Sequence, residues 1–509
     1  MTLTKRELCA RTVQGTALLL GLPGSQALAQ ASGTPRATSP LPHRTVERLS
    51  AYEMIDRMGT CVHLGYQRGG TDPYDLPNRN GEVELIRALQ YLGIHHLRVK
   101  GLDDDRAANA ASRYLDAPTA YQNVLTIREA IPDLKINFLI AANGPPHWAD
   151  GSAKDPVVSL KKLAKMGVLS AIEAPNEPNN EPTFSPRGER YEQNVSAYNR
   201  VWQDWGAALK ALKQSDPVFA KVPLLPPTSA VQGPNRADGV EATYADALLG
   251  DYSKFYDKMN IHAYSSRGGV NLADPMGPIE NGMPPNFAAY QISITNWGRY
   301  AMPGRGVIIT ESGANTRKSS EPGHFPITEQ AQGLVIVNNY FWAVYFGAER
   351  LFQYAIADDS TNLKDPDAER WGLYRGDWSA KPGADYVNRF TSVLADDKPS
   401  NPAALPSFEV TGKQPETWGA TMAFSKSDGS YVIVANNTLS WWDLKTGRDT
   451  VPKPEKWTIR LAKESLYRVT DVLTGAVVGP LKGTRIEVPV RGYPMLVHVQ
   501  PGTGPTRIE

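Results

Sequence analysis

Cysteine is almost missing from this chain, which has Cys9 and Cys61 and no other thiol among 509 residues. Cys9 falls in a stretch that reads as a removable leader, so the mature chain is left with Cys61 alone and cannot close an internal disulfide. Stability must then come from a packed core. A surplus of charge is missing too: 54 Lys and Arg face 53 Asp and Glu, a formal net charge of +1. No overall field of that size draws in nucleic acid or an anionic membrane, and a neutral or mixed substrate fits better. The apolar stretch near the N-terminus, residues 12–22, is too short to span a bilayer. No Gly-rich phosphate loop follows the first strand, which argues against a dinucleotide-binding open sheet. Close-spaced metal ligands are absent after that strand as well, because His63 stands alone between Val62 and Leu64.

Lys5, Arg6 and Arg11 precede the short apolar stretch, and Ala27-Leu28-Ala29 supplies an A-x-A cleavage site. Residues 1–31 are therefore expected to be a signal peptide and residues 32–48, rich in Ser, Thr and Pro, a solvated linker. The protein is expected to be exported, to a bacterial periplasm or medium. At 41% apolar and 21% charged residues, the chain has the composition of a soluble globular protein.

Apolar strand patterns fall at 58–64, 95–100, 135–141, 168–175, 222–225, 258–264, 306–313 and 350–356. Helical patterns alternate with them at 83–92, 121–131, 157–166, 191–213, 244–249, 287–300, 329–346 and 384–394. Eight such units predict a parallel (β/α)8 barrel over residues 49–398. From 399 to 509 the pattern turns to period two, at 421–425, 430–435, 457–461, 467–472 and 495–499, and predicts a small all-β sandwich.

Two of the strands deliver a carboxylate at their C-terminal tip. The fourth runs into Ile172-Glu173-Ala174-Pro175-Asn176-Glu177-Pro178-Asn179, and the seventh is Gly306-Val307-Ile308-Ile309-Thr310-Glu311-Ser312-Gly313. Barrel enzymes place catalytic groups at that end. Cleaving a glycosidic bond with retention takes two carboxyl groups about 5 to 5.5 Å apart, one protonated to serve the leaving oxygen and one ionised to attack the anomeric carbon. Alone, Asn-Glu-Pro is ordinary loop chemistry; a second glutamate at the end of another apolar strand is what makes the pair. Arg98, at the end of the second strand, and Tyr264, at the end of the sixth, can keep Glu311 charged, so Glu177 is read as acid/base and Glu311 as nucleophile. Glu173, four residues deeper on the same side, is expected to be a structural carboxylate paired inside the barrel. Trp148, Tyr354 and Trp371 are candidates to stack on sugar faces. Trp202, Trp205, Trp441 and Trp442 read as packing, and Asp358 and Asp359 as either substrate contacts or loop caps.

These pieces resemble a known group. Glu173-x-x-Asn176-Glu177-Pro178-Asn179, Thr310-Glu311-Ser312-Gly313, His262-Ala263-Tyr264, Arg98 and Pro145-Pro146-His147-Trp148 are similar to the corresponding segments of clan A retaining glycoside hydrolases, especially families 39 and 5. Gly372-Leu373-Tyr374 followed by Lys381-Pro382 resembles their eighth-unit loop. The resemblance implies acid/base chemistry at Glu177, a nucleophile at Glu311, and Asn176 bonded to the sugar hydroxyl beside the reacting carbon. It also implies that Arg98, His262 and Tyr264 surround the nucleophile, with His147 and Trp148 at the substrate. Pro175 stands where many relatives have Trp and Ser312 where an aromatic is common, departures that touch subsite shape rather than the reaction. The expected activity is therefore retaining cleavage of β-glycosidic bonds in an oligo- or polysaccharide, without cofactor or metal, by a monomer. Long segments at 144–155, 178–188 and 267–285 suggest a shaped cleft and endo action. Two rivals remain: a metal-dependent barrel hydrolase using His63, His147 and His262, and a non-catalytic exported polysaccharide-binding barrel.

Overall fold

The structure, a computed structural model, describes residues 48–64, 81–100, 117–140, 156–177, 195–228, 251–263, 302, 304–316, 327–360, 362, 369–414, 419–443, 446 and 448–502. In chain order the first elements are β1 (Leu49–Ser50), α1 (Ala51–Asp56), β2 (Met58–Val62), α2 (Gly81–Leu92), β3 (His96–Lys100), α3 (Ala117–Ala130) and β4 (Lys135–Leu139). Next come α4 (Pro156–Lys165), β5 (Leu169–Glu173), α5 (Val195–Ser215), β6 (Leu224–Leu225), β7 (Met259–His262), β8 (Val307–Ser312), α6 (Glu329–Tyr345), β9 (Ala348–Gln353) and α7 (Pro382–Leu394). Strands β2 to β9 are the eight strands expected from the sequence. They form one sheet in the order β6-β5-β4-β3-β2-β9-β8-β7, and every ladder in it is parallel. The two ends meet: Asp257 N donates to Leu224 O at 2.9 Å, and Asn260 Nδ2 donates to Pro226 O at 3.2 Å. The result is a nearly closed barrel.

The strands are apolar on both faces because helices cover them outside and side chains fill the inside. All of β2, β7 and β8 is buried. Gly93 follows the last residue of α2 with φ +65°, a left-handed value that glycine adopts without strain. The helices expected at 244–249 and 287–300 lie outside the described residues, as do residues 1–47. No helix among the described residues is long and apolar enough to cross a membrane.

The C-terminal region contains β10 (Phe408–Thr411), β11 (Gly419–Ser425), β12 (Tyr431–Asn437), β13 (Trp442–Asp443), β14 (Arg448–Asp449), β15 (Glu455–Asp471), β16 (Val477–Val490) and β17 (Met495–Pro501). The sheet order is β1-β11-β12-β17-β15-β10, with β16 added on β15, and β13–β14 is a separate hairpin. β15 is long enough to change partners along its length. Its first half pairs with β10 and its second half with β17, the register breaking between Arg460 and Ser465. That fold brings Trp457 against Gly419, where a Cβ would sit 2.4 Å from the indole. The sequence segments 457–461 and 467–472 are thus one strand. β16 carries no clean alternation in its first half, since residues 477–482 are exposed. Leu49–Ser50, read as the start of the barrel segment, pairs in parallel with Phe424–Ser425 of the sandwich.

Helix α6 joins the two regions. It is buried from Ala331 to Val344, which explains why its apolar residues are not confined to one stripe. On the barrel side Tyr340 donates to Gly59 O at 2.7 Å; on the sandwich side Asn338 donates to Gly492 O at 2.9 Å and accepts from Asn436 Nδ2 at 2.8 Å. Trp442 packs with Ala314, Ile327, Ala331 and Val335. Trp441 donates to Arg491 O and lies against Tyr493. Both indoles are packing residues, as are the fully buried Trp202 and Trp205.

Candidate active site

The carboxylates converge at the C-terminal end of the barrel. Glu311 sits in β8 one residue before its end, with its carbonyl accepting from Ala263 N at 2.9 Å. Ser312 is held on both sides: its hydroxyl accepts from Asn339 Nδ2 at 3.0 Å and its carbonyl from Tyr354 N at 2.7 Å. Glu177 lies four residues beyond Glu173, the end of β5, and its backbone has turned into the left-handed region with φ 39°. A non-glycine residue there is strained by about 1 to 3 kcal/mol, and such strain concentrates where a side chain must be aimed. His262, the last residue of β7, completes the group. Its Nδ1 is 2.7 Å from Glu177 Oε1 and 3.5 Å from Glu311 Oε2. One oxygen of each glutamate and a nitrogen of His262 all lie within 4.8 Å of one another.

Beneath this group, Arg98 of β3 is 4% exposed. Its Nη1 donates to Glu311 Oε1 at 2.5 Å, Nε and Nη2 donate to the two oxygens of Glu173 at 2.8 and 2.7 Å, and Nη2 also reaches Asn176 Oδ1 at 2.8 Å. Burial by itself would pull the guanidinium pKa down, but Glu173 and Glu311 outweigh it and raise the value well above normal. Arg98 is thus a fixed cation under Glu311. Glu173 is fully buried and paired, as expected for an internal carboxylate, and accepts a further bond from Asn137 Nδ2 at 2.7 Å. Cys61, on β2, donates to Thr310 O at 3.4 Å, and burial pushes its thiol pKa up, so it stays neutral.

Of the expected substrate-binding residues, Asn176, His262 and Arg98 are brought together with the two glutamates. In this arrangement Arg98 and His262 contact protein carboxylates. Tyr354 and Trp371 are half-buried beside them, their rings 6.1 Å apart and edge to face; His63 meets the other side of Tyr354 at 5.6 Å. His147, Trp148 and Tyr264 lie outside the described residues. Asp358 is no substrate contact in this arrangement: it is 3% exposed and paired at 2.7 Å with Lys381, itself 1% exposed, and it accepts from Gly372 N at 2.8 Å. This knot fixes the segment that carries Trp371.

Two residues escaped the sequence reading. Asn137 sits between Ile136 and Phe138 in a buried strand, and an isolated amide in such a run is a signal that could have marked it. Glu369 binds Trp371 Nε1 at 3.0 Å and Asn315 Nδ2 at 2.5 Å; nothing in its sequence surroundings marks it. The Glu177–His262–Glu311 triangle has the donors of a metal site, but one oxygen of Glu311 is already taken by a guanidinium. A second such trio, Asp56, His95 and His96, lies at the opposite end of the barrel, where Arg350 pairs with the carboxylate at 3.1 Å. In both places a resident cation opposes a second one.

No family model and no curated protein matches the chain. Solved structures do. A family 39 glycoside hydrolase from the gut symbiont Bacteroides cellulosilyticus aligns with a TM-score of 0.54 at 16% identity, over 89% of this chain and 83% of its own. A monomeric β-xylosidase from Caulobacter crescentus aligns with a TM-score of 0.50 at 14% identity, over 88% of this chain and 96% of its own. At such identities the likeness is one of architecture: an eight-stranded parallel barrel followed by a β-sheet region, shared with these glycoside hydrolases.

Proposed function

We propose that the protein is a retaining β-glycosidase acting on an oligo- or polysaccharide. The observation that carries this reading is the separation of the two carboxylates: an oxygen of Glu177 and an oxygen of Glu311 within 4.8 Å, at the C-terminal ends of β5 and β8. Oxygens that close support direct attack, for which about 5 to 5.5 Å between carboxyl groups is needed, over an inverting arrangement, which places a water across about 6.5 to 9.5 Å. Glu311, held at the end of β8 by the buried Arg98 at 2.5 Å, is the nucleophile. Glu177, bonded to His262 Nδ1 at 2.7 Å, is the acid/base. In the first step Glu311 attacks the anomeric carbon while Glu177 protonates the departing oxygen; in the second Glu177 takes a proton from water, which releases the sugar from Glu311.

Endo action by a monomer is part of the proposal, supported by the long segments that follow the strands in the sequence. So is export to a periplasm or medium, supported by the charged, apolar and A-x-A pattern of residues 1–31. The test uses aryl β-glycosides and polysaccharides with wild type, Glu311→Ala and Glu177→Ala. Glu311→Ala is expected to abolish formation of the covalent glycosyl-enzyme. Glu177→Ala is expected to spare substrates with good leaving groups, which need no proton, and to lose the poor ones. Equal loss on both kinds of substrate would contradict the role given to Glu177.

A further inference from the structure

Arg98 divides one guanidinium among three acceptors, and the division is not even. Glu173 takes the Nε edge with both oxygens, at 2.8 and 2.7 Å, a side-on bidentate fork that fixes the plane of the group. What remains is directed by that plane: Nη1 to Glu311 at 2.5 Å and a second bond from Nη2 to Asn176 at 2.8 Å. Glu173 is itself immobilised. It is 0% exposed, lies at the end of β5, and its Oε2 is also bonded to Asn137 of β4 at 2.7 Å. Neighbouring strands β3, β4 and β5 thus meet in one charged knot below the reacting groups. We infer that Glu173 is a positioning residue, which acts through Arg98 to aim the nucleophile Glu311 and to hold the Asn176 amide with its oxygen toward Arg98 and its nitrogen free for a sugar hydroxyl.

The chemistry accounts for a third carboxylate so near two catalytic ones. A lone arginine under Glu311 could rotate about four side-chain bonds, and either of its Nη atoms could serve either acceptor. The fork removes that freedom before substrate arrives, which is where catalytic geometry gains most. A carboxylate kept merely to neutralise a buried arginine has no need to face the Nε edge. The same charge balance could come from Glu311 alone.

This inference rests on the glycosidase reading, and the experiment separates the two. The full chain is compared with Glu173→Gln, Glu173→Asp, Arg98→Met and the double variant Glu173→Gln/Arg98→Met, measuring kcat, KM and melting temperature on an aryl β-glycoside. Glu173→Gln is expected to lower kcat roughly 10²-fold, the effect of a misplacement of about 1 Å, with KM little changed. Glu173→Asp, which keeps the charge and draws the fork back by one methylene, is expected to lose kcat without losing melting temperature. In the Arg98→Met background the Glu173→Gln change is expected to remove no further activity, while the double variant melts above Arg98→Met because both buried charges are gone. Losses that multiply in the double variant, or that follow melting temperature across the set, would overturn the inference and leave Glu173 a structural carboxylate. An active wild type matched in kcat by Glu173→Gln would overturn it alone. A wild type that cleaves no glycoside overturns the glycosidase reading and this inference with it.

Discussion

Acid should weaken this protein through a histidine at the closed end of the barrel, well away from the glutamates. His96, the first residue of β3, is 2% exposed, and its Nε2 lies 2.8 Å from Asp56 Oδ1. Burial alone would raise the pKa of Asp56, but bonds to His95 and His96 outweigh it, with help from Arg350, and hold the carboxyl well below the usual range. The pair therefore contains an ionised Asp56 and a neutral His96. The other ring nitrogen, Nδ1, is buried without a hydrogen-bond partner among the described residues, so a proton added there would meet no acceptor. Burial, reinforced by the charge of Arg350, lowers the pKa of His96 from 6.5 to about 3. The unfolded chain binds that proton as pH falls through 6.5 and the folded chain does not until near 3, so this term leaves stability intact above 6.5 and erodes it as pH falls toward 3. At pH about 5 the loss is about 2 kcal/mol, at about 1.4 kcal/mol per unit of pH. Since pH 5 lies above the folded value, shifting that value by one unit hardly changes the figure. The assay is urea unfolding at about pH 7.5 and about pH 5, for wild type and for His96→Gln, whose amide nitrogen keeps a donor toward Asp56 and does not ionise. Wild type should lose about 2 kcal/mol more than the variant over that interval. Equal losses would refute the reasoning and move the acid sensitivity to groups such as His498, whose pKa burial also lowers.

Lys381→Met should destabilise the protein by about 3 to 5 kcal/mol, because it removes the cation paired with the buried Asp358 and leaves Gly372 N as its hydrogen-bond donor among the described residues; adding Asp358→Asn should return part of that loss in the same denaturation assay. Gly313→Ala should cut kcat/KM on an aryl glycoside roughly 10²-fold, because a Cβ there would sit 2.4 Å from Tyr354 O and 2.8 Å from Gln353 Nε2, forcing apart the strand tips beside Glu311. Unchanged turnover would mean that β8 and β9 can separate without moving Glu311.

The barrel was legible because its strands are short and buried on both faces, so each appears as an apolar run, and the helices α2 and α4 are closed by Gly93 and Gly167. The sandwich was read less well. β15 changes partner in mid-strand, from β10 to β17, and looks like two segments, and residues 477–482 of β16 are exposed, so no alternation marks them. At the site, Glu177 and Glu311 stood out as polar ends on apolar strands, and Arg98 for the same reason. The side-on fork between Arg98 and Glu173 was out of reach, because alternation says which way a side chain points and not which edge of a guanidinium it meets. Glu369 was hidden for a different reason: Trp371 is only two residues away, but Asn315 follows the preceding strand and is brought to it by the pairing of β8 with β9.

The pairing of Leu49–Ser50 with Phe424–Ser425 makes the order of synthesis matter. A ribosome finishes all eight barrel strands before the partner of β1 exists, so the nascent barrel carries an unsatisfied strand at its beginning until the sandwich has emerged. Closing so long a loop is slow but carries only a modest entropic penalty, which grows with the logarithm of its length. Until it closes, the open edge is available to any other extended chain. A polypeptide ended after α7 would keep that edge permanently and would also uncover the sandwich side of α6. It should therefore be recovered as aggregate, although every residue of the site described above would be present in it.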